Sequence, residues 1–404
     1  VDVTAIDARL SFDCRVHVAQ GDTTMRFVVG ADGSAQPGSD RSPARENTVF
    51  DLRQDINQAW LDGDAYDVSA LAERDGSGVR PMPAGLSDGE HELRLVYDLD
   101  VPRAADSLAM GWTSNTPGIV FDFWMSDLHP GRYLEAWIPA PLCHDRFALH
   151  VELEIDGTAE PHAVFANGAQ GSNGITYPPS FTSLSPMLVV APEPRVELVD
   201  AGGITVFKLA GPEVDLGACH STIRECLDHN RDTFGDYLFG DTFLAYIWGT
   251  TRGMEYDGAT SSSVGALEHE VFHSWFGRGI KPATANDGWI DEAFTTWYTS
   301  APPRPRQWSQ SLDVAEPPVV LRPPGEFDRF TPREAYTVGA RLFAGIADVL
   351  GGPDALVAAM ASLYASHAGG FLSTDALQAS LSGAAGVDLG WAFDRWVHGK
   401  DVRP

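Results

Sequence analysis

Along residues 1–208 the apolar positions either alternate with polar ones or run unbroken for a few residues, as in LSFDCRVHV, TMRFVV, HELRLVYDLDV, GIVFDFWM, FALHVELEI, SPMLVV and GITVFKLAG. A period of two places alternate side chains on opposite faces of a strand. Turn-forming clusters such as GADGSAQPGSDRSP, RDGSGVRPMP and NGAQGSNG separate these runs. The pattern predicts an all-β domain, a sandwich or saddle-like sheet. From about residue 213 the apolar spacing becomes three-and-four, beginning with VDLGACHSTIRECLDHNRDTFGDYLF, which predicts helix. A strand FLAYIW follows, then GTTRGMEYDGATSSS, which reads as irregular, then a helix over about 263–276. A further helix is expected from near Asp287, its side chain capping WIDEAFTTWYTS. The Pro-rich APPRPRQWSQSLDVAEPPVVLRPPGEF reads as a long surface loop, and AYTVGARLFAGIADVLG, DALVAAMASLYASHA, STDALQASLSGAAG and LGWAFDRWVHG as helices. The expected fold class is α+β in two domains: residues 1–208 all-β, and residues 209–404 mostly α with a small sheet at the front.

Bulk composition changes this picture little but narrows the function. A chain of 404 residues exceeds what one hydrophobic core usually organises. Its formal charge of -28 argues against nucleic-acid partners, which need clustered Lys and Arg on the surface. Cys14, Cys143, Cys219 and Cys226 lack CxxC spacing, so buried thiols are expected rather than a metal or redox motif, with disulfides a second option in an exported chain. No apolar run reaches the roughly 20 residues that span a bilayer, so membrane insertion is not expected. The chain begins at Val1 without a basic flank or cleavage pattern; cytoplasmic residence and secretion after loss of a signal segment both fit. Nothing in the pattern speaks to oligomeric state.

The chemistry is concentrated in LEHEVFHSWFGRGIKPATANDGWIDEAFTTW, residues 267–297. His269 and His273, four apart, lie about 40° apart around a helix axis and about 6 Å apart along it, so both imidazoles can reach one ion. Glu270 lies three residues before His273 and shares its side of the helix. That is the place for a general base acting on a water at a metal, the mechanical sense of His-Glu-x-x-His. A catalytic zinc takes three protein ligands and leaves a fourth position for water, so a third donor must come from elsewhere. Glu292 follows His273 after eighteen intervening residues, on a second helix. Asp291 competes with it, pointing about 100° away on the same helix, and the residues alone leave both open.

In this context the sequence resembles the gluzincin zinc aminopeptidases of the alanyl and puromycin-sensitive type. The family's Asn-Asp-x-Trp-Leu-x-Glu-Gly-Phe element, which carries its third zinc ligand, is similar to NDGWIDEAF and implies Glu292 as that ligand. RGMEYDGAT is similar to its Gly-x-Met-Glu-Asn element: Gly253, Met254 and Glu255 are thereby implied in substrate binding, with Glu255 on the substrate's α-amino group. AYTVGARLF is similar to its Tyr-x-x-Gly-Ala segment, which implies Tyr336 as stabiliser of the tetrahedral intermediate, ahead of the local rivals Tyr298 and Tyr256. GVDLGWAFDRWVHG looks like the end of the catalytic domain, so the matches run in order over about residues 253–399. The resemblance implies a thermolysin-like catalytic domain, one Zn2+ per chain, and peptides or small proteins as substrates. It also implies that the helical domain that closes the family's cleft lies outside these residues, leaving the cleft open. Where the family has Asn, Gly and Lys, this chain has Tyr256, Ala293 and Val338; the family's second amine-binding group has no matched position, and Asp127 and Glu135 are guesses for it.

The expected activity is therefore zinc-dependent removal of N-terminal residues from peptides, with Glu270 as base. HEVFHSW followed by GIKPA is also similar to the glycyl aminopeptidases, whose ligand spacing is usually longer. An endopeptidase with an open cleft, a non-peptidase zinc hydrolase and a non-catalytic binding module are the alternatives.

Overall fold

The computed structural model describes residues 1–30, 49–73, 78–101, 109–129, 131–141, 145–211, 213–248, 253–300, 312 and 331–400. Most of the Pro-rich segment expected as a surface loop, and Cys143, lie outside them. The chain divides into two compact units, Val1–Leu198 with Phe207–Gly211, and Val199–Val206 with Pro212–Pro404.

The first unit is built from sheets, as the alternation predicts. Asp2–Asp13 is central to an eight-stranded sheet, antiparallel to Val18–Val29 and parallel to Ala148–Asp156. Its buried side chains, Ile6, Ala8, Leu10 and Phe12, fall on every second residue, the strand period made visible. A three-stranded and a four-stranded sheet complete this unit among the described residues. One expectation fails here: LSFDCRVHV is not a single strand. The chain reverses at 14–17, where the Asp13 carboxylate accepts the Arg15 N–H and the Asp13 carbonyl accepts the His17 N–H. His17 takes a positive φ of 58°. Local hydrogen bonding by an Asp side chain stabilises a turn that apolar alternation alone conceals.

A five-stranded sheet runs in the order Val196–Ala201, Ile204–Leu209, Phe243–Ile247, Ala259–Ser262, Gly253–Tyr256, its last three strands lying wholly in the second unit. The segment read as irregular is in fact a hairpin: Gly253–Tyr256 pairs antiparallel with Ala259–Ser262, Glu255 opposite Thr260. Among the described residues Gly253–Tyr256 is the edge strand of this sheet. Among the described residues seven α-helices accompany it: α1 (Leu216–Phe234), α2 (Leu267–Phe272), α3 (Trp289–Thr299), α4 (Ala340–Leu350), α5 (Pro353–His367), α6 (Thr374–Ala385) and α7 (Gly390–Trp396). No single helix among the described residues is long and apolar enough to cross a membrane.

Two local features differ from expectation around α2 and α3. The helix expected to reach residue 276 ends at Phe272, with His273 still near helical angles as its cap. Gly277, at φ 111°, turns the chain so that the Arg278 N–H returns to the His273 carbonyl and the Ile280 N–H to that of Trp275. Asp287 does not cap α3. One of its carboxylate oxygens closes a capping box with Thr284, and the other accepts from the Thr374 backbone N–H and hydroxyl at 2.7 and 2.8 Å. Asp287 thus joins the start of α3 to the start of α6.

The relative placement of α2 and α3 rests on aromatic packing. Phe272 of α2, Phe276 just after it, Phe234 of α1, and Phe294 and Tyr298 of α3 form one group, with Phe276 and Phe294 centroids 4.8 Å apart and edge-on at 72°. Edge-to-face pairs add about 0.5–1.5 kcal/mol each beyond area burial. Phe294 also meets Phe343 of α4 and is fully buried. Phe294→Ala is expected to cost about 3–5 kcal/mol of stability, read as a lowered denaturation midpoint; a change within about 0.5 kcal/mol would show that this cluster does not hold α2 and α3.

Candidate metal centre

Because α2 is short and α3 packs beside it, three side chains converge. His269 Nε2 and Glu292 Oε2 are 3.0 Å apart, His273 Nε2 and the same oxygen 3.4 Å, and one ligand atom from each of the three residues lies within 4.8 Å of the others. Donors held at 2.0–2.1 Å from one ion in tetrahedral directions stand about 3.4 Å apart. Buried His273 Nε2 has no well-aligned hydrogen-bond partner among the described residues, as befits a lone pair reserved for a metal. Two imidazoles and one carboxylate are the donor set of a catalytic zinc.

The far sides of both rings are held. His273 Nδ1 donates to the Phe276 carbonyl at 3.1 Å, which leaves Nε2 as the metal-facing nitrogen. His269 Nδ1 lies 3.4 Å from the Thr299 hydroxyl. That hydroxyl donates its only proton to the Thr295 carbonyl at 2.7 Å, so toward His269 its oxygen is an acceptor. Thr295 Oγ1 in turn stands 3.4 Å from His273 Nδ1. Glu292, Thr295 and Thr299 occur at i, i+3 and i+7 of α3, one face of one helix. The two threonines were not anticipated, although this spacing would have exposed them.

Of the two rival acids, Glu292 meets the imidazoles. Asp291 turns instead toward Glu255 and His273, with one oxygen accepting the Glu292 N–H. Burial is the main cause that lifts the Asp291 carboxyl to about 8, with Glu292 and Glu255 adding to it and His273 and Arg278 opposing. Burial acts on Glu292 too, but His273 and His269 pull it below the usual carboxylate range. For His273 burial disfavours charge, yet Glu255 and Glu292 outweigh it and raise the imidazole well above its ordinary value. A metal ion arriving here competes with a proton.

The remaining residues singled out from sequence fall around this centre. Glu270, buried on α2, lies against Gly253: a Cβ on that glycine would stand 1.8 Å from Glu270 Oε1. Met254 is buried, its carbonyl accepting from the Thr260 hydroxyl. Glu255, only 2% exposed, has a carboxylate oxygen within 4.8 Å of one from Glu292. Its partner Arg278, at 2.9 Å, had no signal in the sequence. Tyr336 donates to Glu292 Oε1 at 2.5 Å and stacks on the His269 ring at 6.2 Å. It sits in a π-helical turn, Ala335–Gly339, that precedes α4. A Cβ on Gly339 would lie 2.5 Å from that of Ala293, so glycine at 339 lets this turn approach α3 where the chain carries alanine after Glu292. Tyr298, the rival, belongs to the aromatic group and meets His229; Tyr256 is buried in the edge strand. Asp127 and Glu135 belong to the first unit, where both are buried.

Two substitutions separate positioning from folding. Gly253→Ala should leave metal affinity unchanged and lower turnover about a hundredfold by displacing the flexible Glu270 carboxylate; full activity would mean that the strand itself yields. Thr299→Val should weaken metal binding about 10–100-fold in a chelator competition, with Thr299→Ser restoring it; equal affinity for both variants would remove Thr299 from the site.

No protein-family model matches the chain, and the search of curated proteins returns no match. Solved structures do resemble it. Leukotriene A4 (LTA4) hydrolase of yeast in complex with bestatin superposes at TM-score 0.70 with 16% identity, over 100% of this chain and 69% of that one. An M1 zinc metallopeptidase from Deinococcus radiodurans superposes at TM-score 0.64 with 20% identity, over 100% of this chain and 95% of that one. A variant of that enzyme bound to a Tyr-Ser-Ala substrate gives TM-score 0.63 at 20% identity, with the same coverage. At such identities the likeness is one of architecture: this chain has the fold of the M1 zinc metallopeptidases.

Proposed function

We infer that this protein is a zinc-dependent peptidase that removes residues from the amino end of peptides. The observation that carries the reading is the three-donor centre His269, His273, Glu292 with two further buried carboxylates beside it, Glu270 on the ligand helix and Glu255 on the edge strand. The fold it shares with the metallopeptidases, one of which binds a tripeptide, supports peptides as the substrate class.

His269, His273 and Glu292 would hold the zinc ion, which would supply Lewis acidity toward a carbonyl and a nearby water. Glu270 accepts the proton of the attacking water and passes it to the departing amine. The Tyr336 phenol, now donating to Glu292, offers the same proton to the carbonyl oxygen as negative charge develops there. Gly253–Tyr256, an edge strand, can pair its backbone with an extended peptide. The Glu255 carboxylate receives the α-ammonium, and its distance from the ligands fixes which peptide bond is presented.

Glu270→Gln is expected to keep stoichiometric zinc and lose about 10²–10⁴ in turnover; a variant as active as wild type would end the role. A panel of aminoacyl fluorogenic substrates, free and N-acetylated, tests the rest. Free substrates should be cleaved, acetylated ones should not, and a chelator should abolish cleavage until zinc is returned. Cleavage that survives metal removal would overturn the zinc reading, and equal cleavage of acetylated substrates would overturn the amino-end reading.

A further inference from the structure

Glu255 has a buried partner in Arg278. Arg278 grips it twice, with Nη2 donating to the carboxylate Oε1 at 2.9 Å and Nε to the Glu255 backbone carbonyl at 3.2 Å. The two side chains are 0% and 3% exposed. Two residues along the strand and three along the loop the pattern recurs: Lys281 Nζ donates to Asp257 Oδ2 at 2.6 Å, again with both side chains buried. Lys281 also donates to the Arg278 carbonyl at 3.3 Å. Two buried ion pairs therefore fasten the end of the edge strand to the loop 278–281 that leaves the metal helix.

The carboxylate so held is in an unfavourable place for a negative charge. Oxygens of Glu292 and Asp291 each lie within 4.8 Å of it. Without a cation, a buried carboxylate beside others takes up a proton or swings away. A displaced Glu255 carboxylate cannot meet a substrate ammonium. A guanidinium suits the task because its planar fork can hold carboxylate and carbonyl together, whereas an ammonium is a single point of charge.

We propose that Arg278 is a positioning residue that holds the Glu255 carboxylate and backbone in one aimed geometry, and so sets the enzyme's preference for a free amino terminus. This rests on the reading of Glu255 as the amine anchor given above. Arg278 does not touch the reacting atoms. Its loss acts on substrates with a free amine and spares those without one. The Lys281–Asp257 pair serves as an internal control, since it fastens the neighbouring residue segment through a different carboxylate.

The experiment compares kcat/KM for a free aminoacyl fluorogenic substrate and its N-acetyl form in zinc-loaded wild type, Arg278→Met, Arg278→Lys and Lys281→Met. Wild type should favour the free form at least a hundredfold. Arg278→Met should lose at least tenfold of that ratio, through a higher KM for the free substrate, with zinc still bound stoichiometrically. Arg278→Lys should fall between, and Lys281→Met should lose stability while keeping the ratio. A wild-type preference that survives in Arg278→Met overturns the role of Arg278 and leaves the anchor reading intact. If Arg278→Met does not fold, Arg278→Lys decides, and a ratio equal to wild type overturns the proposal. A ratio that falls equally in Lys281→Met also overturns it, because general loosening of the strand would then suffice. No preference in wild type overturns both the proposal and the amine anchor on which it rests.

Discussion

Three buried carboxylates, with Glu255 holding an oxygen within 4.8 Å of one from Asp291 and of one from Glu292, are the constraint around which the second unit is arranged. An unpaired buried charge costs several kcal/mol, so each acid must be met. Glu292 is met by two imidazoles and the Tyr336 phenol. Glu255 is met by Arg278. Asp291 is the one that yields, its carboxyl pushed up to about 8, chiefly by burial. The arrangement leaves one donor cluster with its atoms spaced for an ion and one carboxylate clamped in place beside it.

The surrounding fold reads as the means of holding that cluster. The aromatic group between α1, α2 and α3 fixes where the histidines stand relative to Glu292. The turn at Gly277 ends α2 just past His273 and sends the chain back under it, bringing Arg278 to the edge strand. Gly253 lets that strand lie against Glu270, and Gly339 lets the π-helical turn bring Tyr336 to Glu292. At Gly253 a side chain would fill the space the Glu270 carboxylate occupies, and at Gly339 it would press on Ala293 and push the turn away from α3.

Much of this was legible in the sequence because it depends on period. The two-residue alternation shows the first unit's sheets, and spacing of four and three places His269, His273 and Glu270 on neighbouring positions of one helix. Whether Asp291 or Glu292 completes the set was not legible from chemistry, since the choice turns on the rotation of α3. Resemblance pointed to Glu292, and the geometry puts Glu292, not Asp291, against both imidazoles. Features made by loops stayed hidden. Cys14, Val16 and Val18 continue an apolar alternation straight through a chain reversal that Asp13 stabilises with its own side chain. Asp287 has the look of a helix cap, yet its carboxylate serves Thr284 and Thr374. Arg278 gives no periodic signal at all, because its pairing with Glu255 depends on how a non-helical segment folds back.

The proposed chemistry depends on His269, His273 and Glu292 holding one zinc ion with a position left for water. X-ray absorption at the zinc edge, on protein loaded with one equivalent, tests it most directly. A four-coordinate site of two imidazoles and two oxygens at roughly 2.0–2.2 Å is expected, losing one protein oxygen in Glu292→Ala. Sulfur in the coordination shell, six oxygen ligands, or a spectrum unchanged in Glu292→Ala would contradict it.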